Sequence, residues 1–170
     1  MEKTIQQYQK TAEICREIFM KKMHDYGTAW RILRPSSITD QIFIKAMRIR
    51  SIEEKGDQKI EEDPASEFIG IINYAIMGLI QLEMKPSEKE MEKESVIEKY
   101  DHYFKMAQLL MTAKNHDYGE AWREMRISSY TDLILMKLQR IKQIEDHHGK
   151  SLISEGIDAG YTDIINYAVF

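Results

Sequence analysis

The chain has 170 residues and a net charge of −4, with a pI near 5.8. Non-specific affinity for nucleic acid rests on clustered Lys and Arg, so this balance argues against a DNA or RNA partner. A single cysteine, Cys15, excludes an internal disulfide and points to a reduced compartment. The opening "MEKTIQQYQK" lacks an apolar leader, and no apolar run approaches the roughly 20 residues of a membrane span. The expectation is a cytoplasmic protein with no membrane partner.

Only two valines, Val96 and Val169, occur, and strict apolar/polar alternation is scarce, so the chain reads as all-α. The first helix is marked by Ile5, Tyr8, Ala12, Cys15 and Phe19, at spacings of three and four that line one face. It ends at "HDYG", where Gly27 can take the left-handed conformation that closes a helix at low steric cost. A second helix is expected from the pair Ser36-Ser37, with Ser37 as cap answered by Asp40, and running to Gly56. Asp63-Pro64 predicts the start of a third, which continues to about Glu83. This helix, containing "FIGIINYAIMGLI", is apolar nearly all round except for Asn73, and such a helix is central.

After a linker with Pro86 and a possible capping box of Ser87 and Glu90, the pattern starts again. Ile97, Tyr100, Phe104, Ala107 and Met111 repeat the first stripe, and "HDYG" returns as His116 to Gly119. From His24 to Glu53, 18 of 30 residues recur at a constant offset of 92, which is an internal duplication. The second repeat's middle helix is capped by Ser129 with Asp132 and runs to Gly149; its third spans Gly156 to Phe170. The repeats are 1–84 and 88–170, each a three-helix module. They are expected to pack with pseudo-twofold symmetry into one bundle, as fused halves of a dimer.

Charges then fall on apolar faces. At about 100° per residue, Lys137 and Arg140 lie in or beside the sector of Leu133, Ile134, Ile141 and Ile144, and Lys45 and Arg48 do the same in the first repeat. Burying unpaired charge costs several kcal/mol, so each pair predicts an acidic partner or an anionic ligand. Asp163 and Asn166 share one face of the last helix, and Asp163 is matched by Gly70 and Asp158 by Ala65. The expectation favours Lys45 and Arg48 facing the acids of the second repeat, with pairing inside one repeat close behind. One reading is a buried ion-pair network. The other is a phosphate and metal site, in which Lys and Arg take phosphate oxygens and Glu155, Asp158 and Asp163 hold a hard cation. Trp30 and Trp122 could stack on a base but read better as core plugs, with the same caution for Tyr26 and Tyr118. His147 and His148 read as solvated loop residues.

The repeated K-x-HDYG-x-AW-R, the following D-x-x-x-x-K-x-x-R-I and the closing D-I-I-NY-A resemble the nucleotide modification associated domain, type 1. The second repeat, with Lys114, Asp117, Trp122, Lys137, Arg140, Asp163, Asn166 and Tyr167, matches that pattern better. The family is in turn distantly similar to all-α nucleoside triphosphate pyrophosphohydrolases, where acids on two helices bind magnesium. Glu155 and Asp158 supply one ExxD, while Lys137 and Arg140 stand where an ExxE belongs.

The resemblance implies a nucleotide-binding protein, with magnesium-dependent pyrophosphohydrolysis of a nucleoside triphosphate as its candidate activity and Asp163, Lys137 and Arg140 as its catalytic residues. Lys45, Arg48, Lys114, Asp117, Trp122 and Asn166 would bind substrate, and magnesium would sit on Glu155, Asp158 and Asp163. Lys137 and Arg140 would neutralise developing charge, Asn166 would orient a ligand, and a homo-oligomer is possible. The competing expectation is a non-catalytic nucleotide sensor or partner-binding scaffold.

Overall fold

The computed structural model describes residues 1–55, 63–147 and 156–170. Six helices account for the architecture, and no strand occurs among the described residues: α1 (Glu2–Tyr26), α2 (Pro35–Lys55), α3 (Pro64–Met84), α4 (Lys93–Tyr118), α5 (Ile127–Asp146) and α6 (Ile157–Val169). Single 3-10 turns, Ala29–Ile32 and Ala121–Glu124, lead into α2 and α5. The fold is an all-α bundle.

The two "HDYG" stretches end α1 and α4 as expected. Gly27 and Gly119 have φ of +63° and +59°, and their N–H groups close the helices on Met23 and Asn115 carbonyls, both at 2.8 Å. The second turn needs one more left-handed residue, Glu120, whose N–H is taken by the Asn115 carboxamide at 3.2 Å. At α3 the Asp63 carboxylate accepts from Ala65 N–H at 3.0 Å, with Pro64 at the first helical position.

Two helix starts differ from expectation. Ser37 and Ser129 lie inside the first turn, because α2 begins at Pro35, whose fixed φ suits a first helical residue, and α5 begins at Ile127. No capping box forms in the linker: the Ser87 hydroxyl accepts from Lys89 N–H, and α4 starts only at Lys93. The expected helix ends at Gly56 and Gly149 lie outside the described residues.

α2, α3, α5 and α6 pack together as the centre, with α1 and α4 laid over α3 and α6. α3 is long and apolar enough to cross a membrane by length and composition, which corrects the reading that no run approaches that limit; here α1, α2, α4 and α6 cover it. Ile71, Ile72, Ile76 and Ile80 are fully enclosed, each contributing about 1.5–3 kcal/mol. The repeats are joined by exchanged hydrogen bonds. The Asn73 amide donates to the Cys15 carbonyl of its own repeat (3.2 Å), and its oxygen accepts from Tyr100 OH of the other (2.7 Å). Asn166 donates to the Ala107 carbonyl (3.0 Å) and accepts from Tyr8 OH (2.7 Å). Burial holds both tyrosine hydroxyls protonated far above the ordinary range. α2 and α5 do likewise: Thr39 donates to Glu145 (3.3 Å) and Thr131 to Glu53 (2.8 Å).

Candidate functional site

The charges predicted on apolar faces find their partners at two corners of the bundle. In the second repeat, α6 turns Asp163 into the crevice between α4 and α5. Its two carboxylate oxygens each take one ammonium: Oδ1 from Lys114 at 3.1 Å, Oδ2 from Lys137 at 2.9 Å. The Lys137 and Asp163 side chains are only 9% and 11% exposed, whereas Lys114 is 50% exposed at the mouth. Arg140 lies one turn beyond Lys137 on α5, on the exposed side.

In the first repeat, the described ion pairs of Lys45 and Arg48 lie within the repeat. Lys45 and Arg48 both reach Glu67 on α3 of their own repeat, each at 3.5 Å, with Glu67 only 5% exposed. The reason is a one-turn shift. α3 reads Glu67-x-x-Gly70 where α6 reads Gly160-x-x-Asp163. A Cβ on Gly70 would stand 2.8 Å from Lys45 Cε, so the missing side chain lets the lysine stem lie across the helix to the acid one turn back. At Gly160 the space is used by Ile141, whose Cγ1 would be 2.8 Å from an added Cβ.

The remaining predicted residues are placed apart. Asn166 is buried and its carboxamide is committed to Tyr8 and Ala107, so it knits α1, α4 and α6 rather than orienting a ligand. Asp117 is exposed beside His116, at 3.4 Å. Asp158 lies on a cavity with Leu79, Leu82, Glu83 and Tyr103; burial, then Glu83, pushes the Tyr103 hydroxyl up to about 12. Asp158 and Asp163 are five residues apart, about 140° round α6. Glu155 and His148 lie outside the described residues. Among the described residues no three His, Cys, Asp or Glu side chains gather to hold a metal; Glu155, one of the three expected magnesium ligands, lies outside them.

Trp122 is half-buried and lies outside the main core: Phe170 stacks on it at 4.4 Å and 10°, and the Arg123 guanidinium covers the ring at 4.4 Å. Trp30 packs near Phe19, at 6.3 Å. Tyr26 and Tyr118, read as core residues, are instead exposed, because the helix-ending glycines turn the chain away beneath them. Sequence reasoning missed Glu67, Tyr8, Tyr100 and Arg123. The signals were present: Glu67 and Glu83 are the only acids in α3, and both tyrosines recur with an asparagine in each repeat.

The family model for nucleotide modification associated domain 1 matches residues 22–82 and 114–170. The chain belongs to that family. Each matched segment runs from the end of a long helix through the Trp-Arg turn to the Asn-Tyr helix, so the domain 1 unit is present twice. No curated protein and no solved structure matches the chain at significant similarity.

Proposed function

We propose that this domain 1 protein binds a nucleotide at the corner of α4, α5 and α6, with its phosphates against Lys114, Lys137 and Arg140. The observation that carries the reading is the two-lysine grip on Asp163. The carboxylate fixes both ammonium groups, one closed in and one at the surface, and Lys114 keeps donors for an incoming phosphate oxygen. The family's association with nucleotide modification supplies the ligand class. Asp163 is then a positioning residue for the lysines. A magnesium-dependent pyrophosphohydrolase would need carboxylates gathered round an ion, whereas both oxygens of Asp163 are taken by lysine. Binding without turnover, as in a sensor, is the favoured form.

The test is a thermal-shift screen of ribo- and deoxyribonucleoside triphosphates with and without magnesium, followed by a pyrophosphate-release assay. Saturating ligand at 100 times Kd stabilises by about 2.7 kcal/mol, or roughly 5–10 °C for a chain of this size. Lys114→Met should remove most of that shift and leave the unliganded melting temperature nearly unchanged. No shift with any nucleotide would reject the proposal; magnesium-dependent release of pyrophosphate would establish the hydrolase instead.

A further inference from the structure

The glycine of each "HDYG" stretch ends a helix, but its tyrosine has no part in that. In both repeats the ring stays in solvent: Tyr26 is 74% exposed and Tyr118 73%. Tyr26 is followed by α2, α3 and the linker and is no better covered, so the exposure belongs to the turn itself. A single exposed ring needs no explanation by itself. The position of Tyr118 supplies one.

Tyr118 follows Lys114 by four residues on α4, about 40° round the helix and about 6 Å along it, so the two share a face. Helical side chains lean toward the N-terminus, which tilts the ring back over the turn that carries Lys114. That lysine is held by Asp163 at 3.1 Å, across from the enclosed Lys137. The turn behind the ring is braced as well: Gly119 N–H returns to the Asn115 carbonyl at 2.8 Å and Glu120 N–H to its carboxamide oxygen at 3.2 Å, where the first repeat has Met23. Tyr26 bears the same relation to Lys22, but α3 presents Gly70 there in place of the acid. The other rings of the following turn, α5 and α6 are committed. Trp122 is covered by Phe170 and Arg123, Tyr130 and Tyr161 are buried, and the half-buried Tyr167 leans on Tyr130 at 6.4 Å. Among the described residues no ring contact or side-chain hydrogen bond engages Tyr118.

We infer that Tyr118 is the base-stacking platform of the α4, α5 and α6 corner, so that its ligand is a nucleoside polyphosphate rather than bare polyphosphate, with purines bound ahead of pyrimidines. The inference rests on the nucleotide reading above. A phosphate oxygen on Lys114 leaves sugar and base to extend along α4, and the single helical turn to Tyr118, about 6 Å, is the distance a ribose spans between phosphate and base. Every base has a π-face, so a stacking ring selects by the area of the base and not by its hydrogen-bonding edge.

The experiment is a calorimetric titration of the full chain with ATP, UTP and inorganic triphosphate at one fixed salt concentration. ATP should bind several-fold tighter than UTP, and Tyr118→Ala should weaken ATP by about tenfold while leaving inorganic triphosphate unchanged. Tyr118→Trp should restore ATP binding, which a merely structural role would not predict, and Tyr26→Ala should alter nothing. Lys114→Met should weaken all three ligands. An ATP affinity reduced in Lys114→Met but unaltered in Tyr118→Ala, or equal losses of ATP and inorganic triphosphate in Tyr118→Ala, overturns this inference and leaves the nucleotide corner standing. Binding of neither nucleotide removes the corner itself, and the stacking platform with it.

Discussion

The two repeats solve one problem differently. Each carries a lysine on the apolar side of its middle helix, and each supplies an acid from its third helix. Glu67 meets Lys45 and Arg48 from one turn earlier than Asp163 meets Lys137. The earlier acid draws both cations back over Gly70, in a pairing of α2 with α3. The later acid is reached from a third helix as well, and Lys114 is left half open to solvent. Its counterpart Lys22 is exposed, at a place where α3 presents Gly70 rather than an acid. A one-turn displacement of a carboxylate therefore separates an acid that meets two partly exposed cations of α2 from one that meets an enclosed lysine of α5 and a half-open lysine of α4.

The largest expected effect comes from breaking the more enclosed pair. Asp163→Asn leaves the Lys137 ammonium without its carboxylate in a site almost closed to water, and should cost about 3 kcal/mol in urea unfolding. Glu67→Gln, whose partners are partly exposed, should cost nearer 1 kcal/mol. Equal losses would show that burial does not distinguish the corners.

The exchanged tyrosine bonds come next. Tyr8→Phe and Tyr100→Phe each leave a buried asparagine oxygen without its donor, and each should cost about 1.5 kcal/mol, matched to within experimental error. A large inequality would mean that the two repeats do not share this bond's energetics. Smaller again is the coupling between Glu67→Gly and Gly70→Asp, which together move the acid to the position it holds in α6. A double-mutant cycle should return a favourable coupling of about 1 kcal/mol, because the new carboxylate meets Lys45 only once the old one is gone. Strict additivity would show that the shifted acid and the glycine are unrelated.

The smallest effect is a pH dependence present in one repeat alone. The Thr4 hydroxyl, then the N-terminal amine and Arg123, hold the Glu120 carboxyl down to about 2, against an ordinary 4.5, while the matching residue in the first repeat is Thr28. A depressed folded-state value stabilises above the unfolded one. That contribution is complete above about pH 4.5 and is lost as the pH falls toward about 2. Thr4→Val should raise the Glu120 midpoint in a carboxyl-carbon NMR titration; an unmoved midpoint would remove the hydroxyl as the cause.

Most of the fold was legible because its signals are local. The stripes of α1 and α4, the glycines after "HDY" and the Asp63-Pro64 cap each act within a turn or two of backbone. Ser37 misled because a serine before an acid looks like a cap whether or not a proline two residues earlier has already begun the helix. At the charged corners, the need for partners could be read from Lys45 and Lys137, but their identity could not. A lysine stem spans a full helical turn, so matching the repeats position by position set Lys45 against Gly70 and passed over Glu67. Arg123 escaped notice because its bonds run to Thr4 and Gln7, more than a hundred residues away.

The crossed asparagine bonds also govern the order in which the chain can become complete. The Tyr8 hydroxyl lies 158 residues from the Asn166 oxygen that accepts it, so α1, synthesised well before α6, is not fully satisfied until α6 has emerged. Neither repeat can close its own central polar site while waiting for the other. Such distant pairing slows folding and exposes apolar faces in the interval. An arrested chain ending before α6 should accordingly keep its helices yet remain a loosely packed, chaperone-bound species, with the final ordering of both repeats arriving in a single cooperative step.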